Sequence, residues 1–255
     1  MNIKDRLLIS SSVKGTIKDS VEFAKELDCG IEISRIPLYK NKNLSLADTI
    51  EQLKSDLEGF KNKVTLHAMF SDVNVSSSDW ELREIAQKRC RQSFEVGKAI
   101  GAKTILFHTG NKGTKHYGSI KSFKQDFIKD FEKAGITAVI ENVFETTPEY
   151  CLDLFNGVSS PNFKLAIDTG HVNLYAHNTE VIEWIKKYGN NLHHMHIHNN
   201  FRENDDHSNL LNGTLDFSVI FNELKEQNLS SNIVLEMFTE EDILKSINYI
   251  NSLKL

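Results

Sequence analysis

The sequence predicts a closed (β/α)8 barrel built as a single domain over residues 1–255. Three observations predict it. Short apolar runs alternate with longer segments of helical period along the whole chain, the signature of repeated βα units. Eight such runs fall in 255 residues, the usual size of this barrel. Most of the runs are continuously apolar, as expected of parallel strands covered by helices on one face and by a packed interior on the other.

The strands expected in order are "RLLIS", "GIEIS", "VTLHAM", "KTILFH", "TAVIEN", "FKLAID", "LHHMHIH" and "NIVLEMF", starting near residues 6, 30, 64, 103, 137, 163, 192 and 232. Between the first two, Ile17, Val21, Ala24 and Leu27 recur on one helical face. Leu82, Ala86, Cys90 and Phe94 do the same after the third strand, where Ser78 and Glu81 have the S-x-x-E spacing of a capping box. A doubly wound open sheet would normally carry a glycine-rich phosphate loop after its first strand. "ISSSVKGTIKDS" offers only Gly15 there, which favours closure.

Composition narrows the class. With 40% hydrophobic and 25% charged residues the chain reads as an ordinary globular protein, and its three prolines mark no interdomain linker. A net charge of −5 gives no support to a generally basic, polyanion-binding surface. There is no run of 18 apolar residues, so no membrane span is expected, and a cytoplasmic location is the default. Cys29, Cys90 and Cys151 are odd in number and widely spaced, and read as reduced packing residues. The composition is silent on oligomeric state.

In such a barrel the active site lies at the C-terminal mouth, so polar residues ending apolar strands carry the information. These are Glu32, His67, His108, Glu141, Asp168, His196 and Glu236. A buried carboxylate costs several kcal/mol unless paired or bound to a cation. Few Lys or Arg residues accompany these strand ends, so a divalent metal is the expected compensation. Glu141, Asp168, His196 and Glu236 come from neighbouring strands five to eight and form an oxygen-rich set suited to Mn, Mg, Co or Zn.

The stretch "HHMHIHNNFRENDDHSN", residues 193–209, holds five of the ten histidines. Alternation in a strand sends His194, His196 and His198 to one face and His193 and Met195 to the other. At most one or two of the first three reach a single ion. The others read as donors to ligands or as wall residues, whereas His193, His116 and His177 read as solvated.

The order and spacing of "GIEIS", "LHAMF", "FHTG", "IEN", "IDTGH", "HIHNN" and "LEMF" resembles the xylose isomerase-like TIM-barrel superfamily, over nearly the whole chain. That superfamily contains sugar and sugar-phosphate isomerases and epimerases together with endonuclease IV. The resemblance implies one divalent ion on Glu141, Asp168, His196 and Glu236. In the ketose 3-epimerases an Arg six residues after the ligand His meets the substrate, and Arg202 has that spacing. Endonuclease IV carries nine ligands for three zinc ions, and the remaining counterparts here are His67, His108, His171, Asp205 and His207. Phe70 stands where that enzyme usually has an aromatic that enters DNA. The usual "GEG" of the family appears as "LNG", with Leu211 and Asn212 as departures.

Two chemistries are therefore expected of one site. As an isomerase or epimerase of a sugar or sugar phosphate, it would use one ion as a Lewis acid on a carbonyl and its neighbouring hydroxyl. Glu141 and Glu236 would be general base and acid, and Glu32, His67, His108, His171 and Arg202 would meet the substrate. As a phosphodiesterase acting on DNA, it would use up to three Zn ions. Against the second stands the lack of a basic, aromatic-interleaved segment, "NKGTKHYG" being the best available. A barrel that binds but no longer catalyses is a third class, disfavoured by the presence of both Glu141 and Glu236.

Overall fold

A computed structural model describes residues 3–37, 41–109, 127–176 and 180–253. Eight parallel strands pair in chain order and the first closes on the last: β1 (Leu7–Ser10), β2 (Gly30–Ile33), β3 (Val64–His67), β4 (Thr104–His108), β5 (Thr137–Glu141), β6 (Phe163–Asp168), β7 (Leu192–Ile197) and β8 (Asn232–Leu235). Outside them lie α1 (Ile17–Glu26), α2 (Leu46–Asp56), α3 (Trp80–Ala99), helical residues 127–134 (α4), α5 (Glu149–Asn156), α6 (Thr169–Tyr175), α7 (Val181–Tyr188), α8 (Phe217–Glu226) and α9 (Glu240–Ser252). The expected fold class holds. Among the described residues no helix is long and apolar enough to cross a membrane.

Two-residue alternation divides each strand between two environments. Ile31, Ile33, Leu66, Ile105, Ile140, Leu165, Ile167, Met195, Ile197, Ile233 and Leu235 join the large core between sheet and helices. The opposite faces meet inside the barrel, where Leu106, Val139 and Ala166 form a small separate apolar cluster. Above that layer the inward positions become polar. Buried polar residues also share the interior with that cluster, Glu32, Thr65, Thr104, His194 and Asn232 among them, so the interior is apolar only in part.

Local signals mostly match the elements they form. On α1, Ile17, Val21 and Ala24 are buried, and on α3, Ala86, Cys90 and Phe94 are. Leu82 departs from its expected face and is 55% exposed. The cap of α3 also differs: Asp79, not Ser78, accepts from the N–H groups of Glu81 (2.9 Å) and Leu82 (3.4 Å). A carboxylate satisfies two orphan donors and faces the positive helix end, so it outcompetes the hydroxyl beside it. All three cysteines are buried and unbridged, as expected.

Alternation breaks once, on β7. Leu165 pairs with Leu192 while Ala166 pairs with His194, which leaves His193 as the extra residue of a β-bulge. Its Nε2 lies 3.2 Å from the Thr104 hydroxyl, and burial pushes the imidazole down to about 4. His193 is thus a half-buried neutral residue rather than the solvated one the sequence implied.

Candidate metal centre at the barrel mouth

His196 is the hub of the site. Its Nδ1 lies 2.7 Å from Glu141, 3.1 Å from Glu236 and 3.9 Å from Asp168. The four residues predicted from strands five to eight therefore converge on one point. The ladder explains it: Asp168 is the register partner of His196, and Glu141 and Asp168 are the last residues of their strands. Asn142 ties β5 to β6 by donating to the Asp168 carbonyl (3.2 Å) and accepting from the Asp168 N–H (3.0 Å).

Two flanks extend this centre. On one side His108 and His67 approach Glu141 at 3.2 and 3.8 Å, with their Nε2 atoms 3.1 Å apart. On the other, Asp168 caps α6 by accepting from the His171 N–H (2.8 Å), which brings the His171 ring to 3.5 Å from its carboxylate. Asp205 then bridges His171 (3.3 Å) and His207 (3.2 Å). His207 is held by its Nδ1 donating to the Glu236 carbonyl at 2.7 Å. All nine residues singled out from the sequence as ligands are brought together.

The loop that carries the second flank departs from relaxed backbone. Arg202 and His207 have φ of 67° and 47°, a region costing L-residues about 1–3 kcal/mol each. The loop folds back nonetheless, because buried Asn199 donates to the carbonyls of Leu210 and Leu215 and accepts from the N–H groups of Asn200 and Leu215. The "LNG" departure leaves this anchor intact. Only Gly213 is constrained, with a φ of 158° and the Asn199 side chain against it.

Five carboxylates meet here, and among the described residues their ion pairs are all with histidine. Burial opposes charge on Glu141, Asp168 and Glu236, but the surrounding histidines outweigh it and hold all three below the usual carboxylate range. In return, and against burial, His171 is raised to about 10 chiefly by Asp168, and His207 to about 9 by Asp205 and Glu236. His67 goes the other way: burial and His108 lower it, leaving a neutral ring. Protons and a cation thus compete for the same nitrogen atoms.

The residues fit a divalent ion. Both Glu141 oxygens are buried with no hydrogen-bond donor, although His196 Nδ1 is only 2.7 Å away, because that approach lacks hydrogen-bond alignment. A carboxylate so oriented is arranged for a cation rather than a proton. Mixed carboxylate and imidazole donors suit Mn, Co or Zn.

Two expected substrate contacts lie elsewhere. Glu32 has no accessible surface and sits beneath the mouth, its oxygens taken by His196 (2.6 Å), His194 (2.9 Å) and Thr65 (3.0 Å). Arg202 turns away and donates from Nε to Asn173 (3.0 Å), lining a separate pocket with Val172 and Thr214. "NKGTKHYG", His116 and His177 lie outside the described residues.

Of the remaining candidates all but Asp168, which is fully buried, face a cleft of about 840 Å³ lined by His67, His108, Glu141, His171, His196, Asp205, His207 and Glu236. Phe70 forms part of its wall, 4.7 Å from the His67 ring and 5.1 Å from His108. His198 stands where a donor to a ligand is expected. It is fully buried, 3.1 Å from Asp168, and stacked on His207 at 3.9 Å. The inward phase of β7 was the available signal. Arg35, Tyr175 and Phe238, which also line the cleft, carried none.

Comparison with known proteins gives a consistent setting. Residues 19–253 match the family described as xylose isomerase-like TIM barrel. An uncharacterized protein of Methanocaldococcus jannaschii is 24% identical over 210 residues, covering 77% of this chain and 72% of its own length. Among solved structures, a D-tagatose 3-epimerase-like protein superimposes with a TM-score of 0.82 at 22% identity, covering 97% of this chain and 96% of that one. A D-allulose 3-epimerase from Methylomonas sp. does so with a TM-score of 0.76 at 17% identity, covering 97% of each.

Proposed function

The chain belongs to the xylose isomerase-like TIM-barrel family, and from that premise we propose that it is a divalent-metal-dependent epimerase or isomerase of a sugar or sugar phosphate. The observation that carries this reading is the meeting of Glu141, Asp168 and Glu236 at Nδ1 of His196, with both glutamates facing the cleft. The epimerase names of the solved neighbours support the choice of substrate class.

A bound ion would be held by Glu141, Asp168, His196 and Glu236, and would act as a Lewis acid on a carbonyl and its neighbouring hydroxyl. Glu141 and Glu236 are kept ionised, so either carboxylate accepts a proton from the carbon next to that carbonyl. Glu236 is the more reachable, 15% exposed against 1% for Glu141. Epimerisation requires the other glutamate, in its protonated form, to deliver a proton to the opposite face while the first keeps the one it removed; return of the removed proton by the same carboxylate to the adjacent carbon interconverts aldose and ketose. His67, neutral, and His108 offer ring nitrogens to substrate hydroxyls on one side of the cleft, and His171 on the other.

Incubation with free and phosphorylated ketoses in D2O tests this, reading deuterium at the carbon next to the carbonyl by NMR. Exchange is expected with Mn or Co present, and Glu236→Gln is expected to reduce it at least about 100-fold, the lower bound for losing a general acid or base. A metal-loaded protein that exchanges no proton in any ketose or ketose phosphate sinks the proposal.

One observation favours a second reading. His67 with Glu141 and His196, His171 with Asp168 and His198, and Asp205 and His207 with His198 lie closely enough to hold further ions, and His108 stands beside His67 and Glu141. A multinuclear zinc phosphodiesterase acting on DNA would use them to stabilise attacking and leaving oxygens. Metal analysis separates the readings: two or three tightly held zinc ions together with cleavage of DNA at abasic sites would favour the second.

A further inference from the structure

Glu32 is a buried carboxylate for which the proposed reaction has no use. It lies on β2, directly beneath the ion-binding point, with no accessible surface. We infer that Glu32 is a positioning residue that fixes the tautomer and ring orientation of His196, so that Nδ1 rather than Nε2 is presented to the ion. The inference rests on His196 being a metal ligand and holds whichever of the two reactions the site performs.

The geometry leaves little freedom. His196 Nε2 donates to Glu32 Oε1 at 2.6 Å, which commits one ring proton to that nitrogen and makes Nδ1, which faces Glu141, Glu236 and Asp168, the nitrogen that an ion would take. The other oxygen of Glu32 is fixed independently by the Thr65 hydroxyl, which donates to it at 3.0 Å, and His194 Nε2 stands 2.9 Å away as a charge partner outside hydrogen-bond alignment. His194 is oriented in turn: its Nδ1 accepts from Asn232 Nδ2 at 3.4 Å, which assigns its own ring proton to the side of Glu32. Lys63 donates to Asn232 Oδ1 at 2.8 Å and closes the chain at the far end of the barrel. Five residues from β2, β3, β7, β8 and the residue before β3 therefore form one path from the mouth to the opposite end. A carboxylate behind a ligand imidazole also raises its basicity toward the ion, and such partners are worth about 10–100-fold in metal affinity.

The test compares wild type, Glu32→Gln and Thr65→Val for Mn and Zn affinity by competition with a chromophoric chelator. Glu32→Gln preserves shape and removes charge, and is expected to weaken binding about 10–100-fold with an unchanged circular dichroism spectrum. Thr65→Val touches only the carboxylate and is expected to cost less than Glu32→Gln. A measurement on the wild type guards against a variant that fails to fold: in the zinc-loaded protein, ring 15N shifts of His196 should report a protonated Nε2 and a metal-bound Nδ1. Metal at Nε2, or undiminished affinity in a folded Glu32→Gln protein, overturns this inference alone. A wild type that holds no divalent ion overturns the metal reading and this inference together.

Discussion

Gly170, in the stretch "IDTGH", shows how one missing side chain holds the site together. A Cβ there would stand 1.9 Å from the His198 ring, whose Nε2 is 3.1 Å from Asp168 and whose face stacks on His207. No flexible side-chain end is available to yield, because His198 is fully buried. Gly170→Ala is therefore expected to destabilise the fold by about 1–3 kcal/mol, the cost of overpacking, and to weaken metal binding on the Asp168 and His207 side. Thermal unfolding with and without zinc checks both, and wild-type behaviour would mean the ring moves freely. Arg202 teaches the converse at the same scale. It stands six residues after His196, yet spacing along a chain fixes distance and not direction. Positive φ at Arg202 turns the guanidinium toward Asn173, and no sequence pattern announces that turn.

At the scale of elements, strands were the most legible part, because an apolar run with one polar residue at its end records both the buried ladder and the mouth above it. The four-residue centre followed from that rule alone, with the inward phase of β5 to β8 supplying the register. The bulge at His193 was not legible, since an extra residue leaves the local composition unchanged and appears only in how β6 and β7 pair. The loop after β7 was half legible: its candidate ligands Asp205 and His207 stand out in the sequence, and its anchor does not. Asn199 fastens that loop by four side-chain hydrogen bonds and is fully buried. Asn199→Leu would leave the partner groups unpaired, at about 1 kcal/mol or more for each. The expected outcome is faster amide exchange confined to residues 199–215 and loss of any ion held through Asp205 and His207. Binding at the four-residue centre should survive. If exchange rises across the barrel instead, the loop and barrel unfold as one unit and the anchor is not local.

For the whole molecule, the mouth concentrates like charge in a fold that stays stable only while something positive balances it. Without a bound ion, protonated histidines do so, and the sign of the resulting pH dependence follows from the direction of their shifts. His171 and His207 have folded values of about 10 and about 9 against an ordinary 6.5. A histidine raised on folding binds its proton more tightly in the native state, so its contribution is complete below 6.5 and is lost as the pH climbs through the folded value. Stability of the metal-free protein should therefore decline from about pH 7 to pH 10. An ion on the same nitrogens must displace those protons, so its affinity rises over the same interval. Because a ligand at 100 times its Kd stabilises by about 2.7 kcal/mol, the gap in Tm between zinc-loaded and chelator-treated protein should widen with pH. Melting curves at constant ionic strength between pH 7 and 10 measure that gap directly. Against burial, His196 is raised in the same direction by Glu141, Glu236 and Glu32, so an ion at the four-residue centre also displaces a proton. Parallel curves would show that no imidazole proton leaves when the ion binds, overturning the competition between protons and metal.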